Sequence, residues 1–209
     1  MTNAAKALFA TLLLQLALPG LSPDRCQAAE PDAAVSAAAP AAVSAKDAPL
    51  PDQYGLALQW GYAYDPSPNS TYLLATGFAI YDYGTAWRMK NCPNTLRLKF
   101  EGTLGSTLNP EGGLVASVNM LALKYPLGLR EGVRPYGEAG IGVIYTQYRV
   151  AGQGLHVNFN PLLGAGLEFP QPDGRHIFAA IRASHISNAQ LHRDNRGVNA
   201  LLLQVGRMF

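Results

Sequence analysis

Charged side chains are scarce in this sequence. Asp, Glu, Lys and Arg make up 14% of its 209 residues, where an ordinary soluble domain carries about 25%. The net charge is only +2, so no strong basic field argues for a nucleic-acid partner. There is no glycine-rich phosphate loop and no His/Cys cluster at metal-ligand spacing, which argues against a nucleotide-dependent or zinc enzyme. No cofactor and no metal are expected. Beyond the first residues nothing reads as a long helix. Cysteine is nearly absent, with Cys26 and Cys92 alone.

What is present begins with an export signal over residues 1–28. Lys6 supplies a positive start, Ala7 to Leu21 an apolar stretch, and Cys26-Gln27-Ala28 a small-x-small cleavage site. Pro19 and Gln15 make the stretch a poor permanent anchor. Pro23-Asp24-Arg25 lacks the small apolar character that a lipidated Cys26 would need. Cleavage before Ala29 would leave Cys92 alone, so no disulfide is expected, and Cys92 reads as an incidental turn residue. Residues 29–52 are Ala/Pro-rich with little to bury, which predicts a flexible tether.

From residue 53 to 209 the hydrophobic period is two. Tyr54, Leu56, Leu58, Trp60 and Tyr62 alternate with Gly55, Ala57, Gln59, Gly61 and Ala63; Leu96, Leu98 and Phe100 alternate with Arg97, Lys99 and Glu101. Eight such segments are expected: 53–64, 71–83, 94–104, 113–125, 133–147, 156–169, 175–187 and 197–209. Turn signals such as Asn91-Cys92-Pro93-Asn94 and Asn109-Pro110-Glu111-Gly112 separate them. The fourth is the least regular, and a bulge or shifted boundary is expected there.

Alternation does not say which face is inside, but composition does. The face opposite the large apolar residues is Gly, Ala, Ser and Asn with a few charges of both signs: Arg97, Lys99, Arg134 and Arg182 against Glu101, Glu138 and Glu168. Small and paired polar residues suit the interior of a narrow barrel. The segments match the ~9–11 residues that a tilted strand needs to span a bilayer. Tyr and Trp recur near their ends, Trp60 and Trp87 reading as interfacial anchors. The terminal Phe209 closes an amphipathic strand, as in bacterial outer-membrane proteins. The expected fold is all-β: an eight-stranded antiparallel transmembrane β-barrel in the cell outer membrane. Hydrocarbon requires that barrel to close, because an open edge would leave backbone groups unpaired.

The penultimate segment ends in Ala183-Ser184-His185-Ile186-Ser187-Asn188-Ala189-Gln190. Parity puts His185 and Ser187 on the lipid-facing side with Ile177, Ile181 and Ala183. Asn199, on the facing strand with Leu201, Leu203 and Val205, lies at the same height. With the amino terminus inside, these residues sit near the external rim. A histidine can take the proton of a serine hydroxyl, and a partner on its other nitrogen fixes its tautomer. Asn188 has an amide to offer a developing oxyanion. His192, Arg193 and Arg196 follow in the last external loop, where Arg193 and Arg196 suit phosphate groups. The bland reading is a polar strand end solvated by headgroups.

The motif His185-Ile186-Ser187-Asn188-Ala189, followed by Asn195-x-Gly197 and a strand ending in Phe209, resembles the PagL-type lipid A 3-O-deacylases. Arg134-Pro135-Tyr136-x-Glu138 and Asn158-Phe159-Asn160-Pro161 to Glu168 are also similar to that family. The resemblance is strongest over 133–209 and weaker over 53–132. It implies an outer-membrane esterase that removes the 3-linked acyl chain of lipid A (lipopolysaccharide) in the outer leaflet, without a metal. Ser187 would be the nucleophile, His185 the base and Asn188 an oxyanion donor. One departure stands out: the family's third catalytic residue, a glutamate, falls at Asn199. An asparagine can accept the imidazole N–H but brings no charge, so weakened activity is expected and Asn199→Glu is expected to raise it. Asp194 is a candidate substitute acid. The alternative is a non-catalytic structural or adhesive barrel derived from the family. A homodimer pairing two barrels would cover the site and regulate it.

Overall fold

The computed structural model describes residues 27–28, 52–66, 69–109, 111–126 and 132–209. The expected signal and tether fall outside these residues apart from Gln27–Ala28 and Asp52. Eight long strands follow in chain order: β1 (Gln53–Asp65), β2 (Ser70–Asp82), β3 (Leu96–Asn109), β4 (Glu111–Lys124), β5 (Arg134–Thr146), β6 (Val157–Phe159, resuming as Leu162–Pro170), β7 (His176–Ile186) and β8 (Val198–Met208). Each pairs antiparallel with the next, and β8 pairs with β1. The sheet is therefore a closed up-and-down barrel, and closure leaves no edge strand.

The barrel is apolar outside, as the alternation demands, but its interior is mixed. Buried polar and charged groups share it with large apolar side chains such as Leu74, Ile80, Leu121 and Leu202, beyond the small and polar residues expected there. Leu56, Leu58 and Trp60 on β1, Ile141 and Val143 on β5, and Leu201, Leu203 and Val205 on β8 are all exposed, while Gln59, Asn119, Gln204 and the charged groups are buried. No helix among the described residues is long and apolar enough to cross a membrane; the strands form the apolar band. The interior has little room. The ring of Tyr72 lies where a side chain at Gly61, its partner across β1 and β2, would begin, since an added Cβ would come within 1.9 Å of the ring.

At the centre lies an ion cluster. Arg182 on β7 donates from Nε to Glu138 Oε1 at 2.6 Å and from its two terminal nitrogens to both oxygens of Glu101 at 3.0 and 3.1 Å. Lys99 lies 3.3 Å from Glu101 and 3.6 Å from Glu138. Two cations face two carboxylates, so the burial of each charge is offset by an opposite one. Phe78 and Phe178 pack edge-on at 5.4 Å below the cluster. Above it, Asn119 donates to Glu101, Asn160 to Asn119, and Ser184 to Asn160 at 2.6 Å. That chain of bonds ties β7 to the core one residue before His185.

Several expectations change in detail. β3 and β4 run to Asn109 and from Glu111, so the hairpin is much tighter than the 104-to-113 gap expected from the Asn-Pro-Glu-Gly signal. The ladder reaches Leu108 and Glu111 by way of a bulge in which Gly112 takes a positive φ of 83°. The bulges fall at Thr71/Tyr72, Ser106/Leu108 and Asn199/Ala200. At the second the extra residue lies on β4 between Glu111 and Leu114, so the bulge and the shifted boundary expected of the fourth segment are both found. β6 breaks at Asn160-Pro161, because proline has no N–H for the ladder. Between β2 and β3 lies a one-turn helix, α1 (Tyr83–Trp87), capped by Asp82 accepting the Thr85 N–H at 2.7 Å. Beyond it Met89–Lys90 pairs with Gln27–Ala28. Cys92 is disulfide-bonded, contrary to the expectation of a lone thiol; Cys26, the second cysteine of the chain, lies outside the described residues.

Candidate active site

The turns after β1 and β3 and the loops after β5 and β7 share one rim of the barrel, opposite the rim that carries α1. Toward that rim His185 stands opposite Asn199, one step before the last ladder pair of β7 and β8, Ile186 with Val198. Both side chains are half-buried on the outer face, in line with the exposed Ile181 and Leu201. Ser187 shares the face of His185, two residues further on. It is pinned by backbone bonds to Phe159 in both directions, at 2.8 and 3.1 Å, while the His185 N–H donates to the Pro161 carbonyl at 3.1 Å. The interruption in β6 thus supplies the acceptor that holds the backbone of the histidine.

The imidazole is held from the side. His185 Nδ1 lies 2.6 Å from Asn199 Oδ1, and Asn199 Nδ2 donates to Asp65 Oδ2 at 2.8 Å. Asp65 also accepts from the Arg196 guanidinium, Oδ1 to Nη2 at 2.6 Å. These contacts settle the proton positions by chemistry. A carboxylate only accepts, so the Asn199 amide must turn its NH2 to Asp65 and its oxygen to His185. His185 must then carry its proton on Nδ1, which leaves Nε2 as the basic nitrogen.

Asp65 has no place among the residues expected from sequence. Alternation along β1 sends it inward with Ala57, Gln59 and Ala63. The bulge at Asn199/Ala200 reverses this: Ala200 pairs with Ala63, yet Asn199 pairs with Asp65, so Tyr64 is the extra residue. One inserted residue flips every later side chain to the other face. The available signal was an acid at the outer end of the first strand, which closure sets beside the last.

The remaining candidates are dispersed. Asn188 lies on the inward side and is 1% exposed. Its amide donates to the Asp194 carbonyl and accepts the Gln190 N–H, and its backbone N–H donates to Asn195 Oδ1. In this arrangement it braces the loop, and the side-chain amide is turned away from the face that carries Ser187. The Asp194 carboxylate pairs with Arg193 at 3.5 Å, and the acid joined to Asn199 is Asp65 instead. Arg193 is 90% exposed, whereas Arg196 is committed to Asp65. The loop itself is stitched to the one after β5 by Gly154 N–H to Asp194 O and Arg196 N–H to Gly152 O, both at 2.8 Å.

Two residues from the site on the same outer face, Ala183 and Leu201 line a groove of about 450 Å³. Ala122, Ala139, Leu163 and Ala165 continue it around the wall. Its floor is made of methyl groups, so it presents an apolar trough within a ladder step of the histidine.

Comparison with known proteins agrees with the barrel and names its relatives. The family described as lipid A 3-O-deacylase (PagL) matches residues 52–207. No curated protein matches the chain. Among solved structures, Neisserial surface protein A is similar with a TM-score of 0.57 and 13% identity, covering 75% of this chain and 95% of its own. The outer membrane enzyme PagL is similar with a TM-score of 0.53 and 24% identity, covering 73% of this chain and 97% of its own. These likenesses concern a single barrel and lend no support to a homodimer. The chain is an outer-membrane protein, and it belongs to the PagL family of lipid A 3-O-deacylases.

Proposed function

We propose that this protein is a serine esterase that hydrolyses the 3-linked acyl ester of lipid A in the outer leaflet. The observation that carries the reading is the bond from His185 Nδ1 to Asn199 Oδ1 on the outer face of the barrel. It leaves Nε2 basic, on the face that also bears Ser187. The Ser187 hydroxyl gives its proton to Nε2 as its oxygen attacks the ester carbon. Collapse of the tetrahedral intermediate returns that proton to the departing sugar oxygen. Water, activated by the same nitrogen, then releases the fatty acid from Ser187.

The outward placement suits a lipid substrate. A lipid A molecule in the bilayer reaches the site from the membrane, with its acyl chain along the groove below Ala183 and Leu201. Asn188 serves by bracing the turn that follows Ser187. Arg193, exposed at the rim, meets a phosphate of the substrate.

The test is mass spectrometry of lipid A from cells expressing the chain beside a Ser187→Ala control. Loss of one hydroxyacyl chain that disappears in the control is the expected result. Unchanged lipid A with a folded barrel in the outer membrane would replace this reading with that of a non-catalytic barrel.

A further inference from the structure

We propose that Asp65 is the acid of this site, a positioning residue that acts on His185 through the amide of Asn199. The inference rests on the esterase reading above. Three observations join in it. The three side chains are linked in series at 2.6 and 2.8 Å. A bulge turns Asp65 onto the outer face at the one ladder position where it meets Asn199. Arg196 holds the second carboxylate oxygen at 2.6 Å, which fixes the acid in place and leaves Oδ2 for the amide.

The chemistry explains how an asparagine can stand where a catalytic acid is expected. An amide is ambiguous: turned one way it accepts from Nδ1–H, turned the other it would donate to Nδ1 and leave the proton on Nε2, where it blocks the reaction. Asp65 removes the ambiguity, because a carboxylate binds only the NH2 end. It also supplies charge. When His185 takes the Ser187 proton and becomes cationic, the polarised Asn199 amide lies between it and the Asp65 carboxylate. Hydrogen-bonded partners one step behind a functional histidine are worth about 10- to 100-fold in activity at metal sites, and the same range is expected here.

This arrangement reverses the expectation for Asn199→Glu. A glutamate at 199 would set its carboxylate against that of Asp65 in place of a hydrogen bond. The gain should appear only when Asp65 is neutralised as well.

The experiment measures kcat and KM of purified, refolded barrel on lipid A in mixed micelles, with Ser187→Ala as the blank. Asp65→Asn should lower kcat about 10- to 100-fold with KM little changed. Asn199→Glu should be poor in the natural background and should restore at least tenfold of the lost rate when combined with Asp65→Asn. Heat-modifiable migration on gels verifies that each variant is folded. Full kcat in Asp65→Asn, or an equal effect of Asn199→Glu in both backgrounds, overturns the proposal while leaving the esterase intact. A second readout does not need turnover. ¹⁵N shifts of histidine, with His185→Asn to assign the resonance, should report the Nδ1–H tautomer in the natural protein and a mixture in Asp65→Asn. An unchanged tautomer overturns the role of Asp65 even if the barrel proves to hydrolyse nothing.

Discussion

Gly197 lies directly against the imidazole of His185. A Cβ built on it would come within 2.6 Å of the ring Cε1 and 3.0 Å of Nε2. The glycine therefore forms the seat of the ring on the side of the basic nitrogen. With Nδ1 tied to Asn199, the ring has no easy way to retreat.

Gly197→Ala should therefore displace the imidazole while the barrel folds normally. A misplacement of about 1 Å at a reacting group is worth about 100-fold, so a loss of kcat approaching that size is expected. Deacylation rate, read beside heat-modifiable migration, checks it. Activity close to that of the natural protein would mean that His185 is not held against Gly197 during turnover.

Arg182 leads to a prediction about stability. Replacing it by methionine leaves Glu101 and Glu138 with Lys99 as their remaining cation in the cluster. Breaking one partner out of a buried ion network costs about 3–5 kcal/mol. Urea unfolding in detergent should show a loss of that order for Arg182→Met. Adding Glu138→Gln to Arg182→Met should recover part of it, since one unmatched charge is then removed. Lack of any recovery would show that packing, rather than charge, makes Arg182 necessary.

The two loop arginines should separate. Arg193 is almost fully exposed, and Arg193→Ala should reduce the preference for phosphorylated over dephosphorylated lipid A with little change in turnover. Arg196 instead braces Asp65, so Arg196→Ala should lower turnover severalfold on both substrates. Side-by-side kinetics on the two lipids distinguish these outcomes. Identical behaviour of the two variants would remove the distinction between a substrate contact and a brace.

The barrel was legible because the two faces differ clearly along strands such as β1, β7 and β8, although β2 turns its large apolar residues Leu74, Phe78 and Ile80 inward. With a period of two, parity sorts the residues into two faces and composition says which face is inside; together they assign His185, Ser187 and Asn199 to the outer face, where the structure has them. The inward charges Lys99, Glu101, Glu138 and Arg182 followed from the same alternation. The detailed contacts among them did not, because those residues come from strands far apart in sequence. Strand ends were less legible. Asn109, Pro110 and Glu111 read as a loop, but the ladder holds β3 and β4 together almost to the proline, since cross-strand bonding outweighs local turn preference. Cys92 was misread for a different reason: its partnering depends on where the chain folds back, which no local pattern records.

Sequence by itself determined the fold class, the face of each regular position and the presence of a histidine beside a serine on a lipid-facing strand. These depend only on near neighbours in the chain. Tertiary structure alone decided that an acid meets Asn199. Asp65 and Asn199 are 134 residues apart, and barrel closure is what makes the first and last strands neighbours. A single bulge then inverts the parity of Asp65, so the rule that reads every other position of β1 gives the wrong face for this one.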